Sequence, residues 1–325
     1  MSNPTPTGKF EVRILDMGQG DCNLIRCPSG EIVMIDCGTT RKGGDGIGVE
    51  GFKVRKFLGK RGVVDFLILT HADSDHYSRV RAALKGRRIE QVLHSDAIRS
   101  YSRARTSEWL FNEDISCERV LVNRREPGSR EVTSGTFADG VAWSVDILAS
   151  DKFDEEEIKP KVGAKPTQQP TIATKDRNAC SIVTLLSIEG GDSVLFCGDA
   201  TAETERFLRG ESKRIGGLHT LLAPHHGSDS SSSKDFVKVT APKRLIVSAG
   251  RTNSYCLPRL SVIKRYTTLN QVAPHVVLGY VPRDKQGVSK KARAQFEFAD
   301  NFVSDRDIRM TAVDGDISFE IGPPA

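Results

Sequence analysis

Val63-Val64-Asp65-Phe66-Leu67-Ile68-Leu69 runs directly into Thr70-His71-Ala72-Asp73-Ser74-Asp75-His76. The first stretch is apolar apart from one carboxylate and rich in branched side chains, the pattern of a strand covered on both faces. The second packs two imidazoles and two carboxylates into six residues. A helix is predicted beyond it, with Val80, Ala83 and Leu84 inward and Ser74 or Asp75 as its N-cap. A buried strand that ends this way delivers its polar groups to one edge of a sheet, where groups from neighbouring strand ends can meet them. Neutral imidazole and anionic oxygen are the donors a divalent cation takes. Standing alone, such a run also reads as a helix start with solvated carboxylates.

Two further strand ends carry the same residue types. Leu195-Phe196-Cys197-Gly198-Asp199 sets a carboxylate past a buried run, and Leu222-Ala223-Pro224-His225-His226-Gly227-Ser228 sets two imidazoles past another. Of the seven histidines in the chain, four fall in these motifs. Three independent clusters of metal-ligand type point to one shared site. His94, His219 and His275 read as packed or surface residues. Asp16, Asp21 and Asp36 read as turn residues or as groups that orient ligands. Ser228 and the Ser230 to Ser233 run suit either a phosphate or a polar loop.

Working outward, residues 10 to 38 alternate in polarity between short turns and predict a β-meander. Further strands are expected at Val141 to Leu148, Ser181 to Ile188, Ser193 to Cys197, Thr220 to Ala223 and Leu245 to Ser248. Ile317 to Ile321 should close an edge, and helices are expected near Val54 to Leu58 and Thr201 to Leu208. No linker separates two halves. The expected organisation is one α/β domain over 1–325, two sheets flanked by helices, with irregular insertions near 95–140 and 151–176.

Composition sets the outer bounds. The 325 residues are 38% apolar and 27% charged, enough for a sizeable core. No run approaches the roughly 18 to 20 apolar residues of a membrane helix, so no membrane partner is expected. The N-terminus lacks the pattern of a secretory leader. Seven cysteines without a C-x-x-C pair read as thiols of a reducing cytoplasm. The formal net charge is +5, and its distribution is uneven. Lys53, Arg55, Lys56, Lys60 and Arg61 cluster, as do Arg79, Arg81, Lys85, Arg87 and Arg88, and later Lys285, Lys290, Lys291 and Arg293. These clusters suit a nucleic-acid partner or a solvated face.

The ordered motifs resemble the metallo-β-lactamase superfamily, in particular the soluble hydrolase domain of DNA-uptake competence proteins of the ComEC type. Leu15-Asp16-Met17-Gly18-Gln19-Gly20-Asp21 and Ile35-Asp36-Cys37-Gly38 match the opening of that domain. His71 to His76 match its H-x-D-x-D-H variant, and Asn178 to Leu186 with Gly198-Asp199 its Asn-x-x-Ser strand and Gly-Asp turn. His225-His226-Gly227-Ser228 match the double-histidine motif, and Asp314-Gly315 with the last strand its C-terminus. The pore region of such proteins is absent from these residues, so no import role is expected.

The resemblance implies an αββα sandwich of two mixed β-sheets flanked by helices, with metals between the sheet edges. By position, Asp75, His76 and one of His225 or His226, with His226 favoured, would hold one ion. His71 and Asp73 would hold the other, and Asp199 would bridge them. Asp73 stands where the wider superfamily usually has a histidine, which favours Mn²⁺ or Mg²⁺ alongside Zn²⁺. Two positions depart from the pattern. Ile147-Leu148-Ala149-Ser150 lacks a third-motif histidine, and Tyr255-Cys256-Leu257-Pro258 has leucine where the family has a late histidine; His225, Asn253 or an arginine would have to replace it. The expected function is metal-assisted hydrolysis of a phosphodiester, as a nuclease, with Asp75, Asp199 and His226 catalytic. Hydrolysis of a small substrate (a cyclic nucleotide, ester or lactam) and a degenerate binding domain without turnover are the competing readings.

Overall fold

The alternation at the start of the chain builds three antiparallel strands, β1 (Phe10–Ile14), β2 (Asn23–Arg26) and β3 (Ile32–Ile35). The structure, a computed structural model, describes residues 8–40, 48–112, 115–122, 128–150, 172, 176–251, 253–283 and 296–324. Helix α1 (Gly48–Leu58) leads into β4 (Val63–Leu69), which lies parallel to β3. The short helices α2 (Ser74–Tyr77) and α3 (Val80–Leu84) cross to β5 (Arg88–His94), and α4 (Thr106–Asn112) crosses to β6 (Ser116–Arg119), both parallel additions.

The second sheet repeats this plan. β7 (Arg130–Thr136), β8 (Ala142–Ala149), β9 (Val183–Ile188) and β10 (Ser193–Phe196) run antiparallel, then β11 (Thr220–Leu222) and β12 (Arg244–Val247) continue in parallel. A hairpin of β13 (Gln271–Pro282) and β14 (Phe296–Arg306), not foreseen from the sequence, precedes β15 (Ile308–Met310) beside β12. β16 (Ile317–Ile321) returns to the first sheet and pairs with β1 at its edge. The two seven-stranded sheets have the orders β16-β1-β2-β3-β4-β5-β6 and β15-β12-β11-β10-β9-β8-β7.

Side-chain alternation explains the layers. In β3, Val33 and Ile35 face the other sheet while Ile32 and Met34 face the helices, so the strand has no polar face. Between the sheets they meet Val145, Ile147, Leu186, Val194 and Phe196, and Phe10 takes the Trp143 ring edge-on at 5.1 Å. Burying each such aliphatic side chain is worth roughly 1.5–3 kcal/mol. Outside, Val54, Phe57, Val80, Ala83 and Leu84 cover the first sheet. Leu208, Phe236, Val237, Val262 and Ile263 cover the second. This is the expected αββα sandwich. Among the described residues no helix is long and apolar enough to cross a membrane.

The sequence reading needs correction in places. The segment expected to be irregular over 95–140 contains α4 and one edge strand of each sheet, β6 and β7. Edge strands are half covered, so their hydrophobic period is weak. The 151–176 insertion lies, apart from Ile172 and Asp176, outside the described residues. The N-cap of α2 is Asp73, one residue earlier than expected, and its side chain makes no capping hydrogen bond.

Parallel strands finish at a common edge, and the two sheets bring theirs together. The amide of Ile182 donates to the Thr70 carbonyl at 3.0 Å, and Ser248 Oγ donates to the Gly20 carbonyl at 2.8 Å. Both bonds cross from one sheet to the other beside the strand ends that carry the motifs.

Candidate metal centre

The loop after β4 is pinned from below by Asp36, which follows β3 in a left-handed conformation (φ 59°) and is fully buried. Asp36 accepts from the Thr70 amide (2.8 Å), from Thr70 Oγ1 (2.6 Å) and from His76 Nδ1 (2.7 Å). Burial raises the Asp36 carboxyl against the pull of His76 and Thr70. On the other side the backbone itself closes in. The Asp21 amide donates to the Asp75 carbonyl (3.0 Å), and a Cβ on Gly38 would stand 2.3 Å from the Asp75 carbonyl carbon. Only glycine fits there.

The loop after β11 is built differently. His225 (φ 50°, ψ 46°) and His226 (φ 52°, ψ 25°) are both left-handed, followed by Gly227 at φ 78°. Non-glycine residues in that region cost of order 1–3 kcal/mol each and persist only where the surroundings impose them. Here the His225 amide donates to the Gly198 carbonyl (2.9 Å), the Arg259 amide to the Gly227 carbonyl (2.9 Å), and His226 Nδ1 to the Ser248 carbonyl (2.7 Å). The result turns two consecutive imidazoles to the same side.

Asp199 is the hub. Its Oδ1 lies 3.1 Å from His76 Nε2 and 3.4 Å from His226 Nε2. Its Oδ2 lies 3.7 Å from His71 Nε2 and 3.4 Å from His225 Nε2. Each oxygen thus faces one imidazole from each loop. Asp73 Oδ2 is 3.9 Å from His71 Nε2, and Asp75 Oδ2 is 3.7 Å from His226 Nε2. All seven residues expected as ligands come together, including both histidines of the pair. Asp21, expected only as an orienting or turn residue, lies 3.8 Å from His226 Nδ1 and 4.0 Å from His76 Nδ1.

Hydrogen bonding sets the tautomers. His76 and His226 spend their Nδ1 protons on Asp36 and Ser248, and His71 Nδ1 faces the hydroxyls of Thr70 (3.1 Å) and Ser181 (3.3 Å). His225 Nδ1 faces Ser230 Oγ at 2.9 Å. Nε2 of His71, His76 and His226 points inward, whereas His225 Nε2 is also met by Asn178 Nδ2 at 3.1 Å. Nε2 of His71, His76 and His226 and Oδ1 of Asp199 are buried without a hydrogen-bond partner. Lone pairs and carboxylates aimed at one another repel unless a cation lies between them. Ligand atoms of His71, His76 and Asp199, and of Asp21, His76 and His226, fall within 4.8 Å of one another. The donor set fits divalent ions.

Without a cation, the site's charges favour protons in its place on His76 and His226. Burial pushes the His71 imidazole well down, aided by His76. Burial also opposes charge on His76 and His226, but Asp199, with Asp36 for the one and Asp21 for the other, overcomes it and holds both above the usual range. Burial works to raise Asp199, and the surrounding His225, His76 and His226 outweigh it to hold its carboxyl well below the usual range. Asp73 is raised, chiefly by burial, against a hydrogen bond from Arg177.

Other expectations resolve individually. Asp16 is a turn residue that accepts from the Gly18 amide at 2.9 Å. His94 is packed, its Nδ1 donating to the Asp96 carbonyl at 2.6 Å. The serine run is framework: Ser231 and Ser232 are buried, Glu205 accepts from the Ser232 and Ser233 amides, and Ser230 holds His225. Ser150 turns away to the Val120 carbonyl (2.8 Å). Leu257 is buried, and Asn253 is consumed within its own loop, bonding Gly250, Tyr255 and Leu257 backbone groups, so it has no group to spare for a substrate. Sequence reasoning missed Arg177, which donates to Asp73 Oδ1 at 3.2 Å, and the part of Thr70, Ser181 and Ser230, whose hydroxyls face His71 and His225 Nδ1.

The basic clusters spread out. Arg55 caps the end of α3 through the Ala82, Ala83 and Lys85 carbonyls, Arg61 pairs with Asp65, and Lys53 with Asp316. Arg88 opens β5 opposite Val63, at the far end of the sheet from His71. The cluster at 285–293 lies outside the described residues. Nearer the site, Arg103 and Arg105 are exposed on a turn with Ala104 and Arg105 left-handed (φ 55° and 56°), and the Arg103 amide donates to Tyr77 Oη at 3.1 Å. Tyr255 is 52% exposed. Burial and the Asp75, Asp73 and Asp199 carboxylates raise its phenol, against Arg103.

The chain is 27% identical over 274 residues to ComE operon protein 3 of Bacillus subtilis (strain 168), covering 80% of this chain and 31% of that protein. It is 26% identical over 266 residues to Recombination protein 2 of Haemophilus influenzae, covering 82% and 27%. The chain therefore spans about a third or less of the length of these curated relatives. Among solved structures, zinc-bound PqqB from Methylobacterium extorquens aligns at TM-score 0.44 and 11% identity, over 78% of this chain and 94% of that one. The family model of the metallo-beta-lactamase superfamily matches residues 15–251, and this chain belongs to that superfamily.

Proposed function

We propose that this chain is a metal-dependent phosphodiesterase that cleaves nucleic acid. The observation that carries the reading is the division of four imidazoles between the two oxygens of Asp199. It supports two subsites, one of His71, Asp73 and His225 and one of Asp75, His76 and His226, with Asp199 shared. His225 then supplies the ligand that the Ile147 to Ser150 segment lacks. Divalent ions held there supply Lewis acidity, bringing the pKa of a bound water toward ~7 and neutralising anionic phosphate oxygens. Mn²⁺, Zn²⁺ and Mg²⁺ all suit this donor set, and hydrolysis with each in turn decides among them.

The residues have distinct parts in this reading. Asp199 keeps the two sets at a fixed spacing, and Asp75 orients the attacking water. Asp36 and Ser248, by taking the Nδ1 protons of His76 and His226, leave Nε2 as the atom turned toward a cation, which would displace the proton that Asp199 favours there. Hydrolysis adds water across one P–O bond, the oxygen to phosphorus and the proton in the end to the leaving alkoxide. Arg103 and Arg105, displayed on a strained turn beside the centre, suit the phosphates flanking the scissile one. Relatives named as competence and recombination proteins support a nucleic-acid substrate.

The test is hydrolysis of linear, circular and single-stranded DNA, of RNA, and of a small chromogenic phosphodiester, with Mn²⁺, Mg²⁺ and Zn²⁺ in turn. Arg103→Glu should raise KM for DNA and flatten its salt dependence while sparing the small substrate. Hydrolysis of the small substrate alone would move the reading to a small-molecule hydrolase. No hydrolysis by metal-loaded protein would leave a binding domain.

A further inference from the structure

We propose that Arg177 is a positioning residue that decides how Asp73 is offered to a cation, and so makes the two subsites unequal. The inference rests on the two-subsite reading above. Arg177 Nη1 donates to Asp73 Oδ1 (3.2 Å) and to the Ala72 carbonyl (3.4 Å), and its Nε lies 3.6 Å from Asp96 Oδ2. Asp96 is fully buried, with Oδ1 fixed by the amides of Ala97 (2.6 Å) and Ile172 (2.9 Å). The guanidinium is thus ion-paired with an immobile carboxylate, too far for a hydrogen bond, and donates to a ligand carboxylate through Nη1.

A second observation points the same way. Asp73 occupies the N-cap of α2, where an aspartate ordinarily accepts from the first free amides of the helix, yet its side chain makes no such bond. Arg177 has drawn it off. With Oδ1 engaged, Asp73 turns only Oδ2 toward His71, so beside the shared Asp199 oxygen this subsite receives from Asp73 one oxygen of reduced charge. Among the described residues Asp75 and Asp199 pair with histidines alone. The His71/Asp73 subsite is therefore the weaker one. Without Arg177, Asp73 would swing back to cap α2 and leave the site.

The experiment is calorimetric titration of metal-free full-length chain with MnCl₂, for the wild type, Arg177→Met, Arg177→Lys and Asp96→Asn, with melting temperature recorded for each. Wild type should bind two ions in two steps of different affinity. Arg177→Met should weaken the weaker step by ~10–100-fold, the usual cost of losing a partner that orients a ligand, and leave the tighter step unchanged. Arg177→Lys, which supplies charge without the two-sided fork, and Asp96→Asn, which loosens the tether, should shift the same step by less. These two decide the matter if Arg177→Met does not fold. A lowered melting temperature with both steps unchanged, or both weakened equally, overturns the role of Arg177 and leaves the two-subsite reading intact. A wild type that binds only one ion overturns that reading, and this inference with it.

Discussion

The loops after β4 and β11 occupy matching places in the two sheets but reach the same centre by different means. The first spaces His71, Asp73, Asp75 and His76 along a relaxed turn that becomes a helix, and neighbouring backbone packed against Gly20 and Gly38 locks it. The second forces two adjacent histidines into the left-handed region, where they donate to the Gly198 and Ser248 carbonyls and the Arg259 amide pins Gly227 behind them. One loop places its ligands by spacing, the other by strain. A spaced set survives in the amino-acid sequence as a recognisable rhythm. A strained one does not, because its direction comes from partners far along the chain.

The largest effect expected is from the residue both loops share. Asp199→Asn should lower metal content at both subsites, measured by elemental analysis, and cut hydrolysis by more than the ~100-fold that loss of an outer partner alone can cost. Full metal content in this variant would remove the hub. Next, His225→Ala and His226→Ala should each erase one binding step in a calorimetric titration and spare the other. If both erase the same step, the two histidines do not divide between the oxygens of Asp199 in the way described.

A third prediction uses a strand-end histidine that belongs to neither loop. His94 ends β5 level with Leu69, and burial pushes its imidazole down to about 4 from an ordinary 6.5. The unfolded chain takes up that proton first, so the fold should lose stability as pH falls from about 6.5 to about 4, by up to about 3 kcal/mol, with no effect above that window. His94→Asn should flatten this slope in chemical denaturation and leave metal content unchanged. The smallest effects concern how the loops are held. Gly38→Ala meets backbone and Gly227→Ala meets the Pro258 ring at 2.6 Å with φ already at 78°. Each should cost ~1–3 kcal/mol in denaturant unfolding, Gly38→Ala more because backbone yields less. Equal metal binding in both variants would mean that neither loop needs its tight seat.

Much of this was legible beforehand. The continuous apolar run of β4, the meander of β1 to β3 and the three strand-end clusters announced two sheets with ligands at their edges, since those features are local. Spacing offers His225 and His226 as alternatives, because it cannot show that consecutive residues on a strained turn point the same way. Arg177 and Asp96 are invisible there, since the ion pair between them joins segments far apart in the chain. β6, β7 and the β13–β14 hairpin were missed where half-covered strands lose their hydrophobic period.

The bond from Ser248 to Gly20 spans the sandwich at the mouth of the centre, close to where His226 and His76 face the same carboxylate oxygen. Ions seated between the two loops would act there as cross-links, closing very long stretches of chain in the way a disulfide does. The sandwich would then be stapled at one end and held at the other by side-chain packing such as that of His219 and Arg244 on the Phe319 ring. Chelation should open it like a hinged case, from the site outward, with backbone amides at Thr70, Ile182 and Ala223 exchanging with solvent before those in the middle of the sheets. Tightness of the fold at that end and occupancy of the centre become a single property.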